Sequence, residues 1–199
     1  MASDPDAALM LAFQNGDERA FRTLFERHGR AMVGFCHHYV KDGARAEELA
    51  QDVFLKVHRS AARYQPTARF RTWLYRIAAN HCLNELRRGE YGARREAAAR
   101  EGGSAPVDLD SLPGGAATPE QAAVGEALAG AVRELLARLP EKQRTAFVLC
   151  RLEGLSYEEI AEVLETSVSA VKSLLHRATV AAAEALAPWS APDGKEARQ

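Results

Sequence analysis

Cysteine is scarce in this chain. Cys36, Cys82 and Cys150 are the three in 199 residues, widely separated and never at CxxC spacing. That excludes the disulfide framework of a small secreted domain and a ribbon-type zinc site. A run of about 18 apolar residues, the length a bilayer-spanning helix requires, is missing. The opening Met-Ala-Ser-Asp-Pro-Asp is acidic and lacks the apolar stretch of a signal peptide. Alternating runs of Val, Ile, Thr and Tyr between turn signals, the mark of half-buried strands, are also missing. Charge of one sign does not dominate, since 26 Lys+Arg meet 27 Asp+Glu for a net charge of -1. These absences leave a cytoplasmic, all-α protein with no membrane insertion. Its 47% hydrophobic content is ample for a core.

The charge is present but segregated. From Ala2 to Gln51 eight acids face six bases, whereas Asp52 to Arg88 holds two acids (Asp52, Glu85) against eight bases. Those bases are Lys56, Arg59, Arg63, Arg69, Arg71, Arg76, Arg87 and Arg88, so the stretch carries +6. A phosphate backbone responds to the local field rather than the total. The same stretch could equally be a solvated helix face.

Composition divides the chain. Gly102 to Pro119 has four glycines, three prolines, no Lys or Arg, and two acids, Asp108 and Asp110. Such a segment cannot bury enough surface to fold and reads as an acidic linker. The expected organisation is two small helical domains, 4–92 and 120–187, joined by a flexible linker at 93–119, with a disordered tail at 188–199.

In the first domain, Ala20, Phe21, Leu24, Phe25, Met32, Phe35, Cys36 and Tyr39 keep helical spacing and are expected in the core. Lys41-Asp42-Gly43 breaks that helix. The next puts Ala46, Leu49, Ala50, Val53, Phe54 and Val57 on one stripe and Glu47, Glu48, Gln51, Asp52, Leu55 and Arg59 on the other face. Leu55 among charges is either an ordinary exposed apolar residue or the centre of a docking face. After a proline-fixed loop, Tyr64 to Arg69, a long helix runs from Phe70 through Arg88 with Phe70, Leu74, Ile77 and Ala78 inward. Its polar surface is expected to carry Arg71, Tyr75, Arg76, Asn80, Asn84, Arg87 and Arg88, with a partly buried Trp73 beside them. Cations follow phosphates, rings stack bases and amides read base edges, so this set suits single-stranded nucleic acid. Trp73 and Tyr75 as plain core residues is the competing reading.

The second domain carries a helix-turn-helix pattern. Leu139-Pro140-Glu141 opens a helix that Gly154 ends. Ser156 with Glu159 three positions on forms a capping box, and Ile160, Ala161, Val163 and Leu164 face inward. Glu165-Thr166-Ser167 turns the chain into a second helix whose inner stripe is Val171, Leu174, Leu175 and Ala178. The first helix and its flanks hold Glu153, Glu158, Glu159, Glu162 and Glu165 without a base, whereas Val168 to Ala183 has Lys172 and Arg177 without an acid. That polarity fits a second helix entering the major groove, with Ser169, Ala170, Lys172, Ser173 and His176 as candidate readers.

These residues together resemble a known family. Ala46-Glu47-Glu48-Leu49-Ala50-Gln51-Asp52-Val53-Phe54-Leu55 is similar to the core-polymerase-binding segment of bacterial sigma factors. Phe70-Arg71-Thr72-Trp73-Leu74-Tyr75-Arg76-Ile77-Ala78-Ala79-Asn80, continuing to Leu86-Arg87-Arg88, resembles their minus-ten helix. Leu139-Pro140 to Gln143-Arg144, Leu155-Ser156-Tyr157-Glu158-Glu159-Ile160-Ala161 and Ala170-Val171-Lys172-Ser173 resemble their minus-thirty-five domain. Two domains and a short linker point to the extracytoplasmic-function group of the sigma-70 family. The resemblance implies an alternative sigma factor, not an enzyme, that directs promoter recognition, DNA opening and transcription initiation. It implies docking of Glu48, Gln51, Asp52, Leu55 and Arg59 on the coiled coil of the polymerase beta-prime subunit. Minus-ten contacts would come from Tyr64, Arg69, Arg71, Trp73, Tyr75, Arg76, Asn80, Asn84, Arg87 and Arg88. With the second domain on the beta flap, Ser167, Ser169, Ala170, Lys172, Ser173, His176 and Arg177 would meet the minus-thirty-five element of promoter DNA. An anti-sigma factor is implied as regulator; no cofactor or metal is.

Some positions depart from the family pattern. Ser169-Ala170 stands where Gly-Thr is usual, Leu174 and Thr179 where arginines are common, and Asn84 where an aspartate is common. Two other functions deserve weighing. A stand-alone dimeric helix-turn-helix regulator would need a receiver or ligand pocket, which the basic helical first half does not suggest. A metal enzyme built on Cys36-His37-His38 and His81-Cys82 fails on geometry, because helix neighbours point about 100° apart and no HxxxH spacing occurs.

Overall fold

The structure, a computed structural model, describes residues 4–40, 42–97 and 119–189. Most of the expected linker and nearly all of the expected tail lie outside the described residues. Eight α-helices account for the described fold: α1 (Pro5–Gln14), α2 (Glu18–His37), α3 (Gly43–Ser60), α4 (Phe70–Ala97), α5 (Pro119–Arg138), α6 (Glu141–Arg151), α7 (Tyr157–Val163) and α8 (Val168–Leu186). Two short 3-10 turns, Ala61–Arg63 and Ala187–Trp189, follow α3 and α8. Among the described residues there is no strand, as expected of an all-α chain.

Local sequence sets the helix starts. The Asp4, Asp17 and Asp42 carboxylates and the Ser156 and Ser167 hydroxyls each accept a backbone N–H from the first turn of the helix that follows. Each satisfies a donor that a helix N-terminus otherwise leaves orphaned. Gly43, read as a breaker, is the first residue of α3, because Asp42 ahead of it supplies the cap. Between α7 and α8 the turn is tight because Glu165 takes φ 49°, a left-handed conformation costing a non-glycine residue about 1–2 kcal/mol. α4 runs nine residues past the expected Arg88.

In the first half α2 and α3 pack along each other, with α1 across α2 and α4 behind α3. The whole expected α3 stripe, Ala46 to Val57, is buried. Phe25 differs from expectation: it is 45% exposed, on the rim of α2, with its ring edge-on to Phe54 at 4.8 Å. Phe21 is only partly buried beside it. In the second half α8 packs on α5, α6 and α7 around Leu149, Ile160, Val171 and Ala178. The halves touch: α7 packs across α4, and the buried Tyr39 hydroxyl donates to Thr145 Oγ1 at 2.9 Å.

Candidate polymerase and nucleic-acid interfaces

The inner stripe of α3 commits its opposite face to solvent. Glu47, Glu48, Gln51, Asp52 and Arg59 are exposed there, and Leu55 in their midst is 52% exposed. Ion pairs brace one end, where Arg45 reaches both Glu48 and Glu85 at 2.7 Å and Arg88 reaches Glu85 at 2.9 Å. Burial acts to raise the Glu85 pKa, yet the hydrogen bonds from Arg88 and Arg45 outweigh it and hold the carboxyl below its ordinary value. Behind the face sits His81, buried, its Nδ1 2.6 Å from Lys56 Nζ and its Nε2 3.4 Å from Asp52. Burial, then the Lys56 charge, lowers the His81 pKa despite Asp52 and Glu85. A neutral ring can accept from Lys56 at Nδ1 and leaves its Nε2 turned toward the Asp52 carboxylate without a formed hydrogen bond.

The loop at 64–69 and the start of α4 form a second site. Arg76, Asn80, Asn84, Arg87 and Arg88 lie on the exposed side of α4, Arg69 is exposed in the loop, and Trp73 is half-buried. Tyr75 departs from expectation. It is 1% exposed, its ring edge-on to Phe35 at 5.2 Å, because α4 is covered on that side by α7 as well as by the first-half core. Tyr64 is likewise buried at 3%, T-shaped against Trp73 at 4.8 Å. Burial pushes its hydroxyl up to about 12. Neither ring is placed to stack on a base in this arrangement. A cavity of about 340 Å³ does open beside them, lined by Gln65, Thr67, Ala68, Thr72, Trp73, Arg76 and Glu162.

Acidic residues of the second half cover part of this site. The Glu153 carboxylate accepts from the Tyr75 hydroxyl and lies 3.4 Å from Arg71 Nη2, which also donates to the Glu153 carbonyl. Burial, then that carboxylate, raises the Tyr75 pKa. Glu159 is 3.4 Å from Thr72 Oγ1 and 3.9 Å from Arg69, and Glu141 is 3.3 Å from Arg87. Charge segregation between the two halves was the signal for this pairing, although residues 54 to 90 positions apart cannot be matched by local pattern.

Two further residues escaped sequence reasoning. Gln14, at the end of α1, donates its side-chain amide to the carbonyls of Ala61 and Tyr64, the latter at 2.8 Å. Asp4, besides capping α1, accepts the Phe70 backbone N–H at 2.7 Å and so caps α4 as well. Only the capping propensity of Asp4 was legible.

The third site is the outer face of α8. Ser169, Lys172, Ser173 and His176 follow i, i+3, i+4, i+7 spacing and are exposed, with Arg177 alongside and Ala170 half-buried. Ser167 is fixed as the cap, accepting the Ala170 N–H at 3.2 Å. Ser173 Oγ donates to Ser169 O at 3.1 Å and Arg177 Nε to Ser173 O at 3.3 Å, so both side chains lie along the helix.

Profiles of two families match where these surfaces lie: Sigma-70 region 2 over residues 24–90 and Sigma-70 region 4 over residues 129–180. The RNA polymerase sigma-H factor of Pseudomonas aeruginosa is 34% identical over 94% of this chain and 97% of its own length. The chain belongs to the extracytoplasmic-function group of the sigma-70 family. The group's sigma-E factor of Haemophilus influenzae is also 34% identical, over 87% of this chain and 90% of its own. Among solved structures, CnrH in complex with the cytosolic domain of CnrY aligns at TM-score 0.65 and 26% identity, covering 94% of this sigma factor and 99% of that chain. The sigma factor RpoE from Bartonella quintana, solved with the anti-sigma factor NepR, has the same fold at TM-score 0.65 and 21% identity over 84% and 96%. This sigma factor is therefore a transcription initiation factor, and no described helix is long and apolar enough to cross a membrane.

Proposed function

We propose that this sigma factor works in the cytoplasm as a non-catalytic subunit, binding core polymerase through α3 and promoter DNA through α4 and α8. The α3 face around Leu55, with Glu48, Gln51, Asp52 and Arg59, docks on the beta-prime coiled coil, and the second half (120–187) sits on the beta flap. The first half (4–92) captures unpaired bases of the minus-ten element. Residues Ser167 to Arg177 meet the minus-thirty-five element. The observation that carries this reading is the wall that the loop and α4 contribute to the cavity, where a ring (Trp73), a cation (Arg76) and an amide (Gln65) converge opposite Glu162 of α7. Stacking, phosphate contact and base-edge reading are the three demands of an unpaired strand. Buried Tyr64 packs its ring on Trp73 in the cavity wall, while exposed Arg69, Arg76, Asn80, Asn84, Arg87 and Arg88 face the DNA. An anti-sigma factor belongs to the same reading, since CnrH is in complex with the cytosolic domain of CnrY and the Bartonella quintana RpoE with the anti-sigma factor NepR. The stand-alone dimeric regulator finds no support among these relatives.

Asn80→Ala tests the reading in reconstituted transcription. The variant is expected to bind core polymerase and form the closed complex normally while losing permanganate reactivity of unpaired thymines at the minus-ten element. A premelted template restores it in part, because it supplies the unpairing energy. Full opening by Asn80→Ala on duplex templates refutes base capture by this element.

A further inference from the structure

We infer that α1 is a positioning element for strand capture, holding both ends of the loop through Gln14 and Asp4; this rests on the base-capture reading above. The loop enters at Tyr64 and leaves at Phe70. At the entrance, the two N–H donors of one Gln14 amide take up the Tyr64 carbonyl and the Ala61 carbonyl, the latter also accepting the Tyr64 N–H that closes the 3-10 turn. At the exit, Asp4 Oδ2 takes the N–H of Phe70, the first residue of α4, while Oδ1 holds the N–H of Asp6 in its own helix. A carboxylate is favoured at that helix start by the helix dipole also. Asp4 and Gln14 stand at opposite ends of α1, so one rigid helix spaces the two anchors. Between them the rings of Tyr64, Phe70 and Trp73 pack at 4.8 to 6.1 Å, and Trp73 carries that cluster to the wall of the cavity. α1 precedes the segment matched by the region 2 profile, which begins at residue 24. Holding the loop before DNA arrives removes the cost of ordering it at the moment of capture.

The test compares Gln14→Ala, Asp4→Ala and Asp4→Asn in the full chain with core polymerase. The alanine variants are expected to slow opening of a duplex promoter at least five-fold with holoenzyme affinity close to the parent, and Asp4→Ala, which loses two helix caps, also to melt a few degrees lower. Asp4→Asn, which keeps an acceptor but no charge, falls between. A premelted template restores the alanine variants, a result that general destabilisation would not give. Normal opening by both alanine variants overturns the inference, and so does loss of opening that merely parallels lost holoenzyme affinity. Asn80→Ala separates the layers: if it blocks opening while the clamp variants open normally, α1 positioning alone is wrong. If Asn80→Ala also opens normally, base capture falls and the clamp with it.

A different observation carries a second inference. The geometry points to a closed free state, in which the acidic side of the helix-turn-helix half occupies the DNA-binding side of α4. Glu153, Glu159 and Glu141 engage Tyr75, Arg71, Thr72, Arg69 and Arg87, and Tyr39 is bonded to Thr145 across the same junction. Minus-ten and minus-thirty-five elements are about 25 base pairs apart, roughly 85 Å of helix at 3.4 Å per pair. A chain with α7 against α4 cannot place α4 and α8 on both at once, so the halves must part. Tyr39→Phe with Glu153→Ala removes contacts from the junction without touching any proposed DNA contact. The free double variant is expected to scatter X-rays with a larger radius of gyration than the parent. It should also bind a random-sequence single-stranded DNA 12-mer at least three-fold more tightly, with helical content unchanged. Overturning results are a parent already as extended as the variant at low salt, or equal 12-mer affinity for the two.

Discussion

Leu55→Ala should weaken polymerase binding without weakening the fold. The side chain is 52% exposed in the middle of a well-formed helix, so its truncation leaves no cavity in the core. Alanine and leucine are both strong helix formers, and a surface change of this kind shifts stability by no more than about 0.5 kcal/mol. In the docked state the balance differs. Half of a leucine side chain is roughly 90 Å², and burying it at ~25 cal/mol per Å² contributes ~2 kcal/mol. Alanine recovers part of that area, so the loss corresponds to about 10- to 30-fold in Kd. The polar ring of Glu48, Gln51, Asp52 and Arg59 fits the rim of such an anchor, where it excludes water more than it binds.

The assay is a titration of fluorescently labelled sigma factor with core polymerase at fixed ionic strength, alongside thermal melting of each variant. Leu11→Ala is the control, being 36% exposed on α1 and away from the α3 face. A folded Leu55→Ala protein with a Kd within two-fold of the parent refutes the assignment. Equal weakening by Leu11→Ala refutes it too, because the effect would then not belong to the α3 face.

Three other outcomes are expected. Lys172→Ala should lower affinity for all minus-thirty-five sequences about equally and reduce the salt slope by ~1, as loss of one phosphate contact does; competition binding over several salt concentrations measures it. Ser156→Ala removes the hydroxyl half of a capping box, in which Glu159 N donates to Ser156 Oγ at 3.2 Å, and leaves the backbone half, the N–H of residue 156 to Glu159 Oε2 at 2.8 Å; a loss of ~1 kcal/mol should appear in urea unfolding. Stability should also fall as pH drops below about 6.5. Burial lowers the pKa values of His37, His38 and His81, that of His38 to about 4, so the unfolded chain takes up protons first. Their contribution is full above the unfolded value and is lost toward the folded one, at ~1.4 kcal/mol per pH unit for each proton. His38→Gln should flatten the slope between pH 6.5 and 4 in urea titrations, and an unchanged slope would show that His38 does not supply it.

What the sequence made legible is what neighbours along the chain decide. The Ser156–Glu159 reciprocity, the Ser167 turn and the α3 stripe each rest on residues three or four apart, and each stands as expected. The misplacements have the opposite character. Tyr75 sits on the flank that periodicity gives to solvent, but α7, some 80 residues later, covers it. Phe25 has the spacing of a core residue, yet no third element closes over it, so it leans on Phe54 at the surface. Asp4 shows the boundary within one side chain: Oδ1 caps its own helix two residues on, and Oδ2 reaches 66 residues ahead to Phe70. The first bond is written in local pattern, while the second exists only once α1 has packed against the rest of the half.

The near-zero net charge acquires a physical meaning from the same long-range contacts. Of the eight bases between Asp52 and Arg88, Arg69, Arg71 and Arg87 lie against Glu159, Glu153 and Glu141 of the second half. Arg88 lies against Glu85 of its own helix. Exposed pairs of this kind contribute only about 0.2–1 kcal/mol each and weaken with salt. A polyanion can therefore compete for the same arginines, and each pair that breaks returns one positive charge to the face that meets phosphate. Tyr39–Thr145 and Tyr75–Glu153 differ, because both tyrosines are buried and an incoming phosphate does not reach their hydroxyls. Separating the halves thus needs an agent that acts elsewhere. The α3 face around Leu55 lies outside the junction, where a docked polymerase can engage the first half and draw the second onto its own surface.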